Sequence, residues 1–404
     1  MMEPKIRLKG FSGEWKDCLY GDHIISVQTG TNLLGDVWNK GIPLLKMGNI
    51  QRGYFDFEKL EYLNEDVCPN DSSIAKYGDF FYNTRNTLEL VGKGATWMHK
   101  SGLYAFNSNI AKCVFSGIDT FFFNYLYNTN GIIKQVQARA KGTTSVAAVY
   151  LSDLKSIQLS LPTYEEQRAL ATFFTSLDNQ ISAAEKRLAS LKQVKAASLQ
   201  AMFPQDGETT PKLRFKGWEG EWKKVKLGEM YEPRNEKNDL SFGVNDIISV
   251  ANMYFRPISY VSNDDYLKSY NIFRVGDIAF EGHKSKNFSH GRFVENSIGD
   301  GIVSHVFVVL KRKDKQFDVD FWKYYINNER IMCGILTRST KSSTMMNDIV
   351  VSDFLKESIL VPSYEEQVKI GNYFTALDRQ LTAQSSKISK LKQIKSACLD
   401  QMFV

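Results

Sequence analysis

The strongest constraint on this chain is that it contains part of itself twice. Residues 161–203 and 361–403 align without a gap at an offset of 200, and 19 of the 43 positions are identical. The identities include Tyr164-Glu165-Glu166-Gln167 with Tyr364-Glu365-Glu366-Gln367, Leu177-Asp178 with Leu377-Asp378, Leu191-Lys192-Gln193 with Leu391-Lys392-Gln393, and Met202-Phe203 with Met402-Phe403. A second block opens each half, Pro4 to Lys16 against Pro211 to Lys223, at an offset of 207. The chain is a tandem duplication. Each half reads as a short basic-aromatic opening, a variable globular region and a long helix.

The helical reading follows from periodicity. Leu170, Phe174, Leu177, Ile181, Ala184, Leu188 and Leu191 step by four and three, as do Ile370, Phe374, Leu377, Leu381, Gln384, Ile388 and Leu391. That is the a/d seam of a coiled coil. Thr163 and Ser363 are placed as N-caps, with Glu166 and Glu366 completing a capping box. No proline and no glycine but Gly371 interrupts either run. Each helix spans about 60 Å at 1.5 Å per residue and must bury its seam. The chemically matched partner is the other copy.

Composition narrows the class. At 404 residues the chain exceeds one ordinary core, so two to four domains are expected. No apolar run reaches membrane-spanning length and no signal-peptide core opens the chain, which predicts a cytoplasmic protein without a membrane partner. The five cysteines and five histidines have no paired or HExxH spacing, so neither a disulfide framework nor a metal site is expected. The net charge of +6 divides into +2, +1, +1 and +2 over residues 1–162, 163–204, 205–362 and 363–404. A polyanion footprint must therefore come from local clusters.

Between the repeated blocks the halves diverge. The first offers strands at Ile24–Val27, Ile42–Met47, Asp79–Tyr82 and Ile110–Phe115, then a helix at Thr120–Tyr127. The second offers Asn245–Val250, Asp277–Phe280 and Ile302–Leu310, then a helix at Val319–Asn328. Gly78-Asp79-Phe80 corresponds to Gly276-Asp277-Ile278. The shared order predicts one fold carrying two different surfaces.

This arrangement resembles the specificity subunit of a bacterial type I restriction-modification system, over essentially the whole chain. The motifs that carry the likeness are Leu161 to Gln167 and Val361 to Gln367, the Trp15 and Trp222 blocks, Ile42 to Ile50, and the two Gly-Asp-apolar turns. The resemblance implies an α+β protein: two mixed α/β target recognition domains, 1–162 and 205–362, separated by conserved spacer helices, 163–204 and 363–404. The helices pair antiparallel as an intramolecular coiled coil, giving a pseudo-two-fold tandem repeat. The expected partners are double-stranded DNA, two modification (methyltransferase) subunits and restriction subunits. S-adenosylmethionine, ATP and magnesium would be used by those subunits, with no cofactor bound by this chain. Unlike recognition modules imply a bipartite, asymmetric target whose unread gap is set by the helices.

Base reading needs side chains of fixed donor and acceptor geometry on loops that can enter a groove. In the first half these are Lys46, Asn49, Thr84, Arg85, Asn86, Lys93, Lys100, Ser101, Lys141, Thr143 and Thr144. In the second they are Lys284, Ser285, Lys286, Asn287, His290, Arg292, Arg338, Thr340, Lys341 and Ser342. The basic, hydroxyl-rich loop before each long helix, Lys141 to Ser145 and Arg338 to Ser343, is the strongest signal. Lys311-Arg312-Lys313 reads as a solvated hairpin end, His305 as a buried strand residue, and the Phe121 to Tyr125 aromatics as core. For each candidate the plain alternative is solvent exposure without contact.

No phosphate-binding loop, glycine-rich cofactor loop or Asn-Pro-Pro-aromatic segment is present, so the chain reads as non-catalytic. Two other classes compete: a stand-alone enzyme with fused recognition domains, and a two-headed coiled-coil adaptor that binds proteins.

Overall fold

The computed structural model describes residues 3–143, 145–205, 207–256, 264–342 and 346–404. Two compact units emerge, one made of Met1–Glu185 with Lys387–Val404 and the other of Lys186–Ser386.

Each unit is built on a four-stranded antiparallel sheet. In the first the order is Ile24–Thr29, Ile110–Phe115, Phe80–Asn83, Gly94–Thr96; in the second, Tyr231–Pro233, Val308–Arg312, Ile278–Glu281, Arg292–Glu295. The strand Phe80–Asn83 is buried on both faces, and its period-2 alternation divides two cores. Phe80 and Tyr82 join the aromatics of the helix Thr120–Tyr127, while Phe81 packs with Phe55, Trp97 and Phe106. In the second unit Ile278 and Phe280 face the helix Val319–Tyr325, and Ala279 faces Val294 and Val309. A short strand pair closes each unit at its base, Lys16–Leu19 with Gln158–Leu161 and Lys223–Lys226 with Ser358–Val361.

The two long helices run Tyr164–Ala201 and Tyr364–Met402 and pack against each other antiparallel. In the first unit Asp178 pairs with Lys395 at 2.5 Å and Glu185 with Lys392 at 2.7 Å, so position falls on one helix as it rises on the other. In the second unit Lys195 pairs with Asp378 at 2.5 Å, and Ser198 and Tyr373 share a 2.8 Å hydroxyl contact. The heptad residues Leu170, Phe174, Leu177, Ile181, Ile370, Phe374, Leu377 and Ile388 are buried. Leu188, Leu191, Leu381 and Leu391 are half-buried.

The repeated motifs turn out to be ties. The Thr163 and Ser363 hydroxyls accept the Glu166 and Glu366 N–H groups at 3.4 and 3.3 Å, as N-caps do. The glutamate carboxylates, assigned from sequence to a capping box, are instead gripped by arginines from the opening blocks: Arg7 donates to Glu166 at 2.8 and 2.7 Å, and Arg214 to Glu366 at 2.7 Å twice. A two-point guanidinium bond outcompetes a single backbone N–H for a carboxylate that is 1% exposed. Gln167 and Gln367 accept the N–H of Asp119 and Asp318, which cap the aromatic helices. Asp178 and Asp378 accept the hydroxyls of Tyr125 and Tyr324. Phe403 lies 5.5 Å from Phe174, 5.6 Å from Phe122 and 6.2 Å from Trp15, ring centre to ring centre; Phe203 takes the matching place against Phe374, Phe321 and Trp222.

Three expectations are corrected. Ile302–Leu310 is two strands, Gly301–Val303 and Val308–Arg312, because Ser304 and His305 make a turn; His305 is exposed. Arg312 is 8% exposed and packs over Trp322 at 4.2 Å while donating to the Tyr231 hydroxyl at 2.7 Å, so it is a buried cation on aromatic faces. The helix expected over Val319–Asn328 ends at Tyr325, since Asn328 caps the next helix, Glu329–Ser339, by accepting from the Arg330 N–H at 3.1 Å.

Candidate nucleic-acid interface

In the first unit the chain leaves the buried strand at Asn83 and is held at once. The Thr84 hydroxyl donates to the Asn109 carbonyl at 2.9 Å. Arg85 and Asn86 then pair with Ala148 and Ala147, which pair in turn with Lys141 and Gly142. Two clusters 55 residues apart in sequence, counted from Asn86 to Lys141, thus share one small sheet. Gly142, at φ +128°, is required there, since a Cβ would lie 2.3 Å from the Val146 carbonyl. Arg85 and Thr143 are exposed, and Asn86 is partly so. A cleft of about 510 Å³ runs beside them, lined by Tyr82, Thr84, Arg85, Asn109 and Tyr150.

The second unit repeats the plan with other side chains. After the strand Ile278–Glu281, the Gly282 carbonyl accepts the Asn347 N–H at 2.8 Å and His283 bridges Met346. Thr340–Ser342 pairs with Asn347–Ile349, so the post-strand loop and the hairpin meet again. Gly282 allows the approach, since a Cβ would sit 2.2 Å from the Asn347 carbonyl. The Ser285 hydroxyl accepts the N–H groups of Asn287 and Phe288 at 3.3 and 3.1 Å, fixing a tight turn. Lys284, Ser285, Lys286, Asn287 and Lys341 are exposed along it.

Not every candidate joins these surfaces. Asn49 is 4% exposed, and its amide is spent on the carbonyls of Asp56 and Lys59 at 2.9 and 3.0 Å; it holds a loop. Lys46 is paired with Glu61. Lys93 donates to Gln51 at 2.6 Å, and burial beside Arg52 lowers its pKa. Lys100 and Ser101 follow the far end of the strand Gly94–Thr96, where the Ser101 hydroxyl accepts the Tyr77 N–H at 2.8 Å; the antiparallel register separates them from Arg85. Lys141 pairs with Asp153 at 2.8 Å, and Arg338 forks onto Glu357 at 2.8 and 2.7 Å, which lowers that carboxyl's pKa. Arg292 donates to Glu281 at 2.7 Å and to the Ala251 carbonyl at 2.8 Å. The Thr340 hydroxyl donates to Leu336, that of Ser342 to Asn347, and His290 is half-buried. Thr144 lies outside the described residues. Sequence reasoning missed Asn109, in the turn before the strand Ile110–Phe115, and Tyr150, just before the short helix Leu151–Leu154, which reach the cleft from separate parts of the chain and carry no local signal.

What results is an exposed donor set at the end of each unit's sheet, guanidinium, amide and hydroxyl from Arg85, Asn86 and Thr143 in the first and ammonium, amide and hydroxyl from Lys284, Lys286, Lys341, Asn287 and Ser285 in the second, the chemistry that phosphates and base edges take. Residues 23–193 and 219–393 match the family of type I restriction modification DNA specificity domains, and the chain belongs to that family. It is 23% identical over 391 residues to a putative type I restriction enzyme MjaX specificity subunit from Methanocaldococcus jannaschii, covering 89% of this chain and 86% of that one. The fold is similar to the S subunit of a type I restriction-modification system from M. genitalium, with a TM-score of 0.59, 14% identity, and coverage of 100% of this chain and 99% of that one. A second structure, solved to explain complex assembly and conformational transition of the type I R-M system, has a TM-score of 0.51 at 16% identity, covering 97% and 98%.

Among the described residues no helix is long and apolar enough to cross a membrane, and no three His, Cys, Asp or Glu side chains are grouped to hold a metal ion.

Proposed function

We propose that this chain selects the DNA target of a type I restriction-modification complex, reading a bipartite, asymmetric sequence with one segment per recognition domain. The observation that supports this most is the recurrence, in both units, of a post-strand loop joined to a hairpin, through a shared sheet in the first and through the Gly282–Asn347 hydrogen bond and the His283–Met346 bridge in the second, with different exposed side chains on each. Identical scaffolds with unlike donors suit two unlike half-sites on one duplex. The helices act as the spacer that sets the unread gap, and their exposed faces offer two equivalent docking places for methyltransferase subunits. Restriction subunits join that assembly. The chain contributes recognition rather than catalysis, and S-adenosylmethionine, ATP and magnesium are used by its partners, in the cytoplasm.

The test is co-expression with the cognate methyltransferase, followed by single-molecule sequencing of methylated genomic DNA. The expected product is two defined segments about one helical turn apart between centres. A continuous palindrome, or protein binding without any DNA preference, overturns the proposal, the latter in favour of a two-headed adaptor.

A further inference from the structure

The common sheet order allows the two units to be matched by register. Phe80 pairs with Thr96 and Ile278 with Glu295, and both strands follow a Gly-Asp turn, so Glu295 stands where Thr96 stands. The caps Asp119 and Asp318 match the helices, setting Asn128 against Asn327.

In the first unit this corner is filled by the chain itself. The Thr96 hydroxyl donates to the Thr120 carbonyl at 2.6 Å, and its N–H donates to Asn124 at 2.8 Å. The Asn124 amide donates to the Gly53 carbonyl at 3.0 Å, and the Gly53 N–H and the Asn128 amide each reach the Gly94 carbonyl at 2.9 Å. In the second unit the corresponding corner is an open cavity of about 800 Å³, walled by Leu199, Met253, Phe288 and Tyr324. Glu295 lines it, 1% exposed, and neither carboxylate oxygen meets a donor. Asn327 Oδ1 and Glu329 Oε2, on the same lining, are also buried without a partner.

All four are carboxylate or amide oxygens, which accept. Of the cations around the cavity, Lys195 is paired with Asp378, Arg292 with Glu281 and Lys323 with Asp320; Arg312, whose charge acts on Glu295 from the core side, is paired with Asp314 and keeps a buried Nε without a partner. Two carboxyls therefore face one further guanidinium, that of the exposed Arg330. A buried carboxyl without a donor carries its full desolvation cost, and here burial pushes the Glu295 pKa well up. A group that brings several N–H donors relieves that cost.

We propose that the cavity of the second unit binds a small organic cation of the guanidinium or alkylammonium class, held by the unpartnered oxygens of Glu295, Asn327 and Glu329. Its size and mixed apolar wall suit a ligand of that kind. The inference is independent of DNA recognition and fails or stands apart from it.

Isothermal titration of the full chain with agmatine and with spermidine tests it. One-to-one saturable binding of either is expected, weakened at least tenfold in Glu295→Gln and in Asn327→Ala, and unchanged in Glu65→Gln, a surface change in the first unit. Thermal melts establish that the variants are folded; should Glu295→Gln fail to fold, Asn327→Ala carries the comparison. No saturable binding of either cation by the wild-type chain, or equal binding by the folded cavity variants, overturns the proposal.

Discussion

In the first unit the corner between sheet and aromatic helix is closed by Thr96, Asn124 and Gly53, every one of them hydrogen-bonded; in the second the same corner holds Glu295 with no partner beside an open space. Elsewhere the units are superimposable in their logic. Arg7 and Arg214 hold Glu166 and Glu366, Gln167 and Gln367 hold the helix caps, and Asp178 and Asp378 hold tyrosines. The difference teaches where the duplication was kept and where it was released. Positions that tie the globular part to the long helices stayed alike, and positions facing the loops and the cavity diverged.

The largest effect expected from breaking this comparison is at the arginine clamps. Arg7→Ala or Arg214→Ala strands a buried glutamate, which should cost about 3–5 kcal/mol in either case. Chemical denaturation checks it, and equal losses would sharpen the claim that the two ties are equivalent. Next comes a helix position where the copies differ in bulk, glycine at 371 and alanine at 171. Gly371→Ala puts a Cβ 2.2 Å from an Asp318 carboxylate oxygen and 2.8 Å from the Phe321 nitrogen, and overpacking of that kind costs about 1–3 kcal/mol. At the matching Ala171, which is buried, the reverse change Ala171→Gly should cost only about 1 kcal/mol of helix propensity and contact.

The interface comparison breaks on DNA. Arg85→Ala should weaken binding by about 1–3 kcal/mol through one segment of the target and leave discrimination at the other untouched. Lys341→Ala, at the second hairpin, should lower affinity for all sequences and reduce the salt slope by about one. Mobility-shift titrations on targets mutated in either segment separate the two outcomes.

The smallest effect is on pH dependence. Burial raises Glu295 above its ordinary 4.5, so the folded second unit keeps a proton that the unfolded chain releases. Stability from this group is therefore lost as pH rises above that ordinary value. Melting curves over about pH 5 to 8 should show a shallower decline in Glu295→Gln, without abolishing it, because Asp277 and Asp318 are also raised by burial.

Much of the scaffold was legible in the sequence because periodicity and repetition report directly on buried faces. Leu170, Phe174 and Leu177 are buried as their spacing demands, and the helix Thr120–Tyr127 has the predicted bounds. The site was less legible. The sequence places Arg85 and Lys141 apart, and only the pairing of Arg85 and Asn86 with Ala147 and Ala148 brings them together. Composition alone could not show that Asn49 is spent on a loop, or that Arg312 is buried on aromatic rings, because the first depends on how the chain after Asn49 folds back to it and the second on rings brought together from Tyr231 and Trp322. Glu295 sits in an ordinary strand pattern, and its isolation appears only when the neighbouring helix is in place.

The packing of Met402 and Phe403 among Trp15, Phe122 and Phe174 has a consequence for synthesis. A ribosome delivers residues 3–185 long before the two side chains that fill their hollow. Until then the amino-terminal body is an unfinished shell with aromatic surface bare to solvent, so its maturation waits on the arrival of residues 402 and 403. A premature stop that spares the whole of the first reader should still leave that reader poorly formed.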